Sequence, residues 1–294
     1  MPGLLEQWGN LVFQGVLMGL LYSLIALGYN IVYRVNKSIN FAVPEVVLLA
    51  AYLAWVASIA TGNLAAALAI ALAASIAVSM AMERLVARPL LGRPPIALIG
   101  ATLGLFYMLK GVVLIVGKGE VAVLPFYPEV YRLGFLTVGT NDVVAFLGSI
   151  AVLAGVVLLH RKTSFGAAMR GVAEDAEGAA AYGLPVRRLM LAGWALAGLV
   201  SGLASLLLAI KTQISPDLEF FAIIALAASL IAGLDSLGGI VVGGVFLGLA
   251  EQVASKILDP YLPGIGRDIA FFILLLVLLV KPYGLFGSER IERL

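Results

Sequence analysis

The sequence predicts an all-α integral membrane protein, a bundle of about eight or nine transmembrane helices with broken or re-entrant helices among them. Apolar residues make up 62% of the chain and charged residues only 12%. The mean hydropathy is +1.07. Several segments would therefore have no aqueous surface to face. Apolar runs near the roughly 20 residues that cross the hydrocarbon recur along the whole chain, which makes it a multi-pass protein.

Apolar segments long enough, or nearly long enough, to cross a bilayer follow one another in order. They cover residues 11–33, 41–59, 64–82, 96–116, 143–159, 189–210, 220–234, 237–253 and 269–280. Several are short. Only Asp235 and Ser236 separate 220–234 from 237–253. This spacing predicts a tight hairpin, or two half-helices whose ends are covered by neighbouring protein.

Glycine pairs at four-residue spacing recur in these segments. They are Gly15 and Gly19, Gly100 and Gly104, Gly198 and Gly202, Gly239 and Gly243, and Gly244 and Gly248. Such pairs let helices approach closely in lipid, where hydrophobicity does not drive helices together. They predict a compact body and indicate no chemistry.

Orientation in the cell membrane follows from the basic residues. One side collects Arg34, Lys37, Arg84, Arg88, Arg93, Arg161, Lys162, Arg170, Arg187, Arg188, Lys281, Arg290 and Arg293, and the other holds Lys118, Arg132, Lys211, Lys256 and Arg267. The side richer in Lys and Arg is normally cytoplasmic. We therefore expect the N-terminus outside and the C-terminus in the cytoplasm.

The connections between the segments are too short to fold alone, so residues 1–294 are expected to form one membrane-embedded domain. Residues 164–183, on the cytoplasmic side, carry sequence signals for both ends of a helix. Ser164 can cap its N-terminus, and Gly183, Leu184 and Pro185 supply a glycine end and a breaker. A helix built there predicts that a partner docks on it.

Enzyme and cofactor signatures are absent from the sequence. There are no cysteines and one histidine, His160, which has no ligand partners in the pattern, so we expect no metal. The glycine-rich run 111–119 lacks a Ser or Thr after Lys118, so it is not a phosphate loop. No nucleophile is paired with a base. The net charge of +2 argues against nucleic acid.

Polar residues inside the segments are candidates for a translocation path. Asn40 and Glu45 lie near the start of the second segment, and Glu251 lies near the outer end of another. Other readings stay open. Glu45 follows Pro44 and could complement the helix dipole in a first turn. Glu251 and Lys110 could extend towards the membrane surface.

Several motifs, in order along the chain, resemble one family. They are LLYSLIALGY at 20–29, INFA at 39–42 followed by Glu45, RPL at 88–90, the stretch 170–183, Gly238-Gly239 with Gly243-Gly244, LGLAE at 247–251 and KPYGLFG at 281–287. Together they resemble the integral-membrane permease of branched-chain amino acid ABC transporters. The chain departs from the family pattern at Val43-Pro44, where His-Gly is usual, and at 232–236, where Gly-Gly-Ile-Gly-Ser is usual.

The resemblance implies where the ATPase binds. Residues 177–183 are similar to the importer loop pattern Glu-Ala-Ala with a glycine four residues on, which docks on the ATPase. Gly178 replaces the middle alanine of that pattern. The residues implied to act in docking are Arg170, Glu174, Asp175, Glu177, Ala179, Ala180 and Gly183.

The resemblance also implies a function. The chain would be the permease subunit of a binding-protein-dependent importer, without a cofactor, and separate cytosolic ATPases would drive it. An extracytoplasmic binding protein would deliver a small zwitterionic substrate, and an identical or related permease in the surrounding lipid would complete the pore. Importers of urea or short amides look alike. A secondary transporter and a membrane enzyme are the other classes. A secondary transporter should show a charged residue at mid-membrane. A membrane enzyme should show a group of polar catalytic residues.

Overall fold

A computed structural model describes residues 2–126, 129–134 and 136–287 of the chain. Its helices are α1 (Pro2–Asn36), α2 (Val43–Thr61), α3 (Leu64–Met82), α4 (Pro95–Gly117), α5 (Thr140–Lys162), α6 (Ser164–Glu174), α7 (Ala176–Ala181), α8 (Val186–Lys211), α9 (Glu219–Ala232), α10 (Leu237–Leu258) and α11 (Ile265–Val280). A π turn, Glu83–Ala87, and a 3-10 turn, Arg88–Leu90, extend α3. Strands β1 (Val130–Leu133) and β2 (Leu136–Gly139) form an antiparallel hairpin.

The predicted all-α membrane bundle is confirmed, and each predicted apolar segment coincides with a helix. Within the described residues, 7 helices are long and apolar enough to cross a membrane. The two others, α9 and α11, have only 14 and 16 residues. At a rise of about 1.5 Å per residue, α9 is about 21 Å long, shorter than the hydrocarbon.

The short helix α9 ends inside protein, as a half-helix must. Its last turn is closed by the chain after α11, because the backbone N–H groups of Leu285 and Phe286 donate to the carbonyls of Ile231 and Ala232, at 2.7 and 3.0 Å. Gly233 follows with a φ of +97°. Asn30 of α1 donates to the carbonyl of Leu234. Neighbouring segments therefore supply the partners that lipid cannot.

The centre of the bundle is α1, whose residues from Leu17 to Val32 are almost entirely buried. It packs on α10 through two glycine pairs, since a Cβ placed on Gly19 would lie 2.7 Å from the carbonyl oxygen of Gly244. Gly15 and Gly248 meet in the same way one turn away. These contacts confirm that small residues bring α1 and α10 together.

The other glycine pairs differ in what they contact. Gly198 and Gly202 of α8 lie against Ser79 and Ser75 of α3, and Gly243 packs on α9. Among the described residues, no atom lies within 4 Å of a Cβ added to Gly100 or Gly104 of α4, so this pair does not bring α4 against another described helix. The packing prediction is therefore wrong for that pair.

Two further structural groups mark the ends of the bundle. At one end, β2 is held to α1 because the amide of Thr137 donates to Asn10 Oδ1 at 2.9 Å. Ala122 pairs with Ile214 in an isolated bridge at the same end. At the other end lie α6 and α7. Arg290 and Arg293, counted above for orientation, lie outside the described residues.

Candidate functional site

The segment predicted to dock a partner consists of α6 and α7. Helix α6 is capped by Thr163, one residue before the predicted cap Ser164, because the Thr163 hydroxyl accepts a hydrogen bond from the amide of Gly166 at 3.0 Å. Its buried residues Gly166, Met169 and Val172 face the body of the protein. Gly166 packs on the backbone of Leu159 and His160. Helix α6 is therefore anchored to the end of α5.

The predicted single helix over 164–183 is wrong, because the chain breaks at Asp175. This residue has φ −148° and ψ 103°, and its Oδ1 accepts from the amides of Glu177 and Gly178 at 3.0 and 2.9 Å. A short acidic side chain can satisfy backbone donors outside a helix, which favours a cap over a helix interior. Asp175 thus ends α6 and caps α7.

Gly183 ends α7 in the manner the sequence indicated. Its φ is +81°, in the left-handed region. Its amide donates to the carbonyl of Ala180 at 2.9 Å, and the amide of Leu184 donates to that of Ala179 at 3.0 Å. This pair of bonds is the Schellman motif, in which glycine avoids the penalty that a side chain would meet. Pro185 then leads into α8.

The residues implied in docking divide into an exposed set and an inward set. The exposed ones are Glu174, Asp175, Glu177, Ala180 and Gly183, and Tyr182 beside them is 91% exposed. Ala179 is only 7% exposed and seats α7 on the body. Arg170 is half-buried and donates to the carbonyl of His160, so it holds α6 on α5. The exposed set presents acids, small residues and one tyrosine.

The two residues proposed for the path near α2 are both buried. Asn40 accepts from the amide of Ala42 at 3.0 Å, which makes it part of the turn into α2. Phe41 donates through its amide to Thr102 Oγ1 of α4 at 3.2 Å. Glu45 is 0% exposed, and neither of its carboxylate oxygens has a hydrogen-bond donor among the described residues.

Glu45 belongs to a polar group that joins three helices. Its carboxyl lies near that of Glu219 at the start of α9. Lys110 of α4 lies 2.7 Å from Glu219 Oε1, and Glu219 Oε2 has no donor in the described structure. Glu45, Lys110 and Glu219 therefore form one cluster, called here the acid–lysine cluster.

Glu251, the third residue proposed for the path, lies in a different group. It is 6% exposed, and the hydroxyl of Tyr22 donates to its Oε2 at 2.5 Å. The ring of Tyr22 stacks on that of Phe221, with 6.3 Å between the ring centroids. The Arg267 guanidinium carbon lies 5.8 Å from the centroid of the Phe221 ring. Glu251 therefore does not extend to the membrane surface. Both groups contact the first turn of α9, one through Glu219 and the other through Phe221.

Sequence reasoning did not identify Lys110 and Glu219 as a site, and considered Lys110 only as a side chain that could extend towards the membrane surface. The partners are 109 residues apart along the chain, so no local spacing reveals them. The one local signal is Glu219 itself, which follows Pro216 in the first turn of a short apolar helix. Within the described residues, no group of three or more His, Asp or Glu could hold a metal ion.

Comparison with known proteins gives consistent matches over the whole chain. The profile of a family described as the permease component of branched-chain amino acid transport systems matches residues 11–280. The high-affinity branched-chain amino acid transport system permease protein LivH of Escherichia coli (strain K12) is 27% identical over 96% of both chains. Its counterpart BraD of Pseudomonas aeruginosa is 27% identical over 100% of both.

A solved structure shares the fold. The chain described as PsaBC from Streptococcus pneumoniae, in complex with Fab, superposes with a TM-score of 0.51 over 94% of this chain and 92% of that chain. The identity is 14%, so this likeness shows the arrangement of helices and nothing about what is carried.

Proposed function

This chain belongs to the family of permease components of branched-chain amino acid transport systems, and we propose that it is the membrane subunit of a binding-protein-dependent ABC importer for branched-chain amino acids. The observation that carries the proposal is the family match over residues 11–280, supported by two permease relatives that align over nearly their whole length. The match includes both the α6–α7 segment and the acid–lysine cluster.

Cytosolic ATPases are the proposed partners of α6 and α7. The anchored helix α6 holds α7 outside the body. Glu174 at the end of α6 and Glu177 in α7 are exposed, and the other residues of α7 are alanines and one glycine. Little side-chain bulk lets such a helix lie in a shallow groove, and the acids can pair with basic residues there. Energy would then come from subunits that this chain binds.

Orientation is proposed from the same segment. The end of the bundle with α6 and α7 carries Arg34, Arg161 and Arg170, whereas the hairpin of β1 and β2 lies at the other end. Basic residues favour the cytoplasmic side. The N-terminus would face outwards, where the binding protein docks, and the C-terminus would lie in the cytoplasm.

The translocation path is proposed to pass the start of α9, with Asn40, Glu45 and Glu251 near it. Helix α9 is short and begins beside both buried polar groups. Movement of the docked segment would shift the packed helices between two arrangements, each with a different affinity for substrate. A second permease, identical or related, would complete the pore.

A secondary transporter is the second candidate, and one observation favours it. The acid–lysine cluster supplies the buried charge that an ion-coupled carrier needs. Such a carrier would have no use for an exposed capped helix such as α7. The importer is therefore the function that the whole chain supports.

Reconstituted transport tests the proposal. The chain is placed in proteoliposomes with its cognate ATPases, partner permease and binding protein, and uptake of labelled leucine, isoleucine, valine, urea and acetamide is measured. We expect ATP-dependent accumulation of the three amino acids that stops when the binding protein is omitted. Preferential uptake of urea or acetamide contradicts the substrate assignment. Accumulation driven by an ion gradient without ATPases contradicts the importer.

A further inference from the structure

A cationic cavity opens at the α6 end of the bundle, away from the acid–lysine cluster. It has a volume of about 400 Å³. Three arginines from three different helices line it, Arg34 of α1, Arg161 of α5 and Arg170 of α6. The rest of the lining is His160, Asp235, Ser236, Leu237, Gly238, Phe286 and Gly287. Five separate parts of the chain thus converge on one small space.

One wall of this cavity is the N-terminus of α10, a helix of 22 residues. Ser236 caps it by accepting from the amide of Gly239 at 3.1 Å. Leu237 and Gly238 occupy the first turn, where backbone N–H groups have no partner within the helix, and both line the cavity. The positive end of the α10 dipole therefore adds to the arginine charges.

His160 contributes to the wall of the cavity through its position beside Arg170. Its side chain is buried, with 3% exposure, and its carbonyl accepts from the Arg170 guanidinium. Its ring nitrogens have almost no accessible surface, so they lie behind the wall and contact nothing inside the cavity.

The charged residues that line the cavity favour an anionic ligand. Three arginines face one carboxylate, Asp235, which has interactions of its own. Arg170 uses one guanidinium nitrogen on the carbonyl of His160 and has further donors. Guanidinium groups and helix N-termini both match the oxygens of phosphate.

We propose that this cavity is a binding site for a phosphate-bearing anion, held by Arg34, Arg161 and Arg170 with the α10 N-terminus. The phosphate comes from an anionic phospholipid headgroup or from free phosphate. Basic pockets between helices on the cytoplasmic side bind anionic headgroups. The bound anion ties α6, and so the α6–α7 segment, to α1, α5 and α10.

Lipid retention and phosphate binding by the purified full chain test this site. The first arm places the protein in nanodiscs of phosphatidylcholine with or without phosphatidylglycerol, and native mass spectrometry counts the retained lipids. The second arm titrates inorganic phosphate in detergent and follows the thermal unfolding temperature. Selectivity for phosphatidylglycerol identifies the lipid as the source. A shift with phosphate alone identifies the free anion.

The variants are Arg34→Gln with Arg161→Gln, and the matched control is Arg187→Gln with Arg188→Gln, two exposed arginines at the start of α8 that do not line the cavity. We expect each arginine lost from the cavity to weaken binding about fivefold, and the control to bind like the parent. Arg161→Lys keeps the positive charge and should retain most of the binding. This variant checks that the loss in the Gln variants comes from the lost charge.

Equal affinity of the cavity variant and the control, or no binding of either anion by the parent, overturns the proposal. The proposed orientation decides only which leaflet of the membrane supplies the lipid. The existence of the anion site does not depend on it. Neither arm measures uptake or ATPase binding. Failure of the anion site is therefore distinguishable from failure of the proposed function.

Discussion

Lys110 Nζ lies 2.7 Å from Glu219 Oε1, and this ion pair ties the middle of α4 to the first turn of the half-helix α9. The same carboxyl lies near Glu45 of α2. The ammonium group pairs with Glu219, while Glu45 and the second oxygen of Glu219 have no donor in the described structure. Removing a partner from such a group costs more than removing the whole group, because the remaining charge stays buried without compensation.

Lys110→Met should lower the thermal unfolding temperature of the purified protein. The Lys110 side chain is 33% exposed, so solvent screens part of the loss, and we expect a cost of about 1–2 kcal/mol. The double variant Lys110→Met with Glu219→Gln should recover part of it. Lys118→Met, an exposed lysine after the end of α4, is the matched control. A double variant that is less stable than Lys110→Met would show that no coupling of this kind exists.

Glu45→Gln should reduce substrate uptake while the protein stays folded and bound to the ATPases. Glutamine has nearly the same shape, and its amide can donate to the unpartnered Glu219 Oε2. The substitution removes the carboxyl group from this point of the proposed path. Uptake is compared with Glu120→Gln, which changes an exposed acid in the loop after α4. Unchanged uptake in Glu45→Gln would return Glu45 to a structural role at the start of α2.

Gly183→Val and Glu177→Lys should both weaken ATPase association, measured by co-purification, and transport. A β-branched residue at a φ of +81° costs about 1 kcal/mol or more and disturbs the end of α7. Glu177→Lys reverses an exposed charge without touching a cap. Glu120→Lys, the same reversal in the loop after α4, should behave like the parent. If both variants bind the ATPases and transport as the parent does, α7 is not the docking element.

Tyr182→Cys should react with a membrane-impermeant thiol reagent only from the cytoplasmic side. The natural chain has no cysteine, and Tyr182 is 91% exposed at the end of α7. Val121→Cys, 62% exposed in the loop before β1, is the matched probe for the outer side. Labelling of intact cells at position 182 instead of 121 would reverse the proposed orientation.

Gly244→Ala should lower the unfolding temperature of the protein strongly. A Cβ at this position would lie 2.7 Å from the carbonyl oxygen of Gly19 and 3.0 Å from the Ser23 amide nitrogen, and backbone cannot move aside cheaply. We expect a cost of about 1–3 kcal/mol, as for other overpacked sites. Gly155→Ala is the control, because that Cβ meets nothing within 4 Å. Equal unfolding temperatures for the two variants would contradict tight packing of α1 on α10.

The sequence was informative about features that have a local or periodic signal. Hydropathy alone located each apolar helix, and Gly183 with Pro185 located the end of α7. The break at Asp175 was missed, since an acid followed by small residues is also compatible with a continuous helix. The Lys110–Glu219 pair was missed because only tertiary packing brings α4 and α9 together.

The geometry of Asp175 and Gly178 makes the choice of residue at one position depend on the other. The Asp175 carboxylate caps the first turn of α7 by accepting from the amide of Gly178. A Cβ on residue 178 would clash with the same carboxylate. An alanine at 178, as in the family pattern, would have to displace the Asp175 side chain. Either change, alanine at 178 or a new residue at 175, alters the cap of α7. The two positions are therefore expected to vary as a pair among relatives.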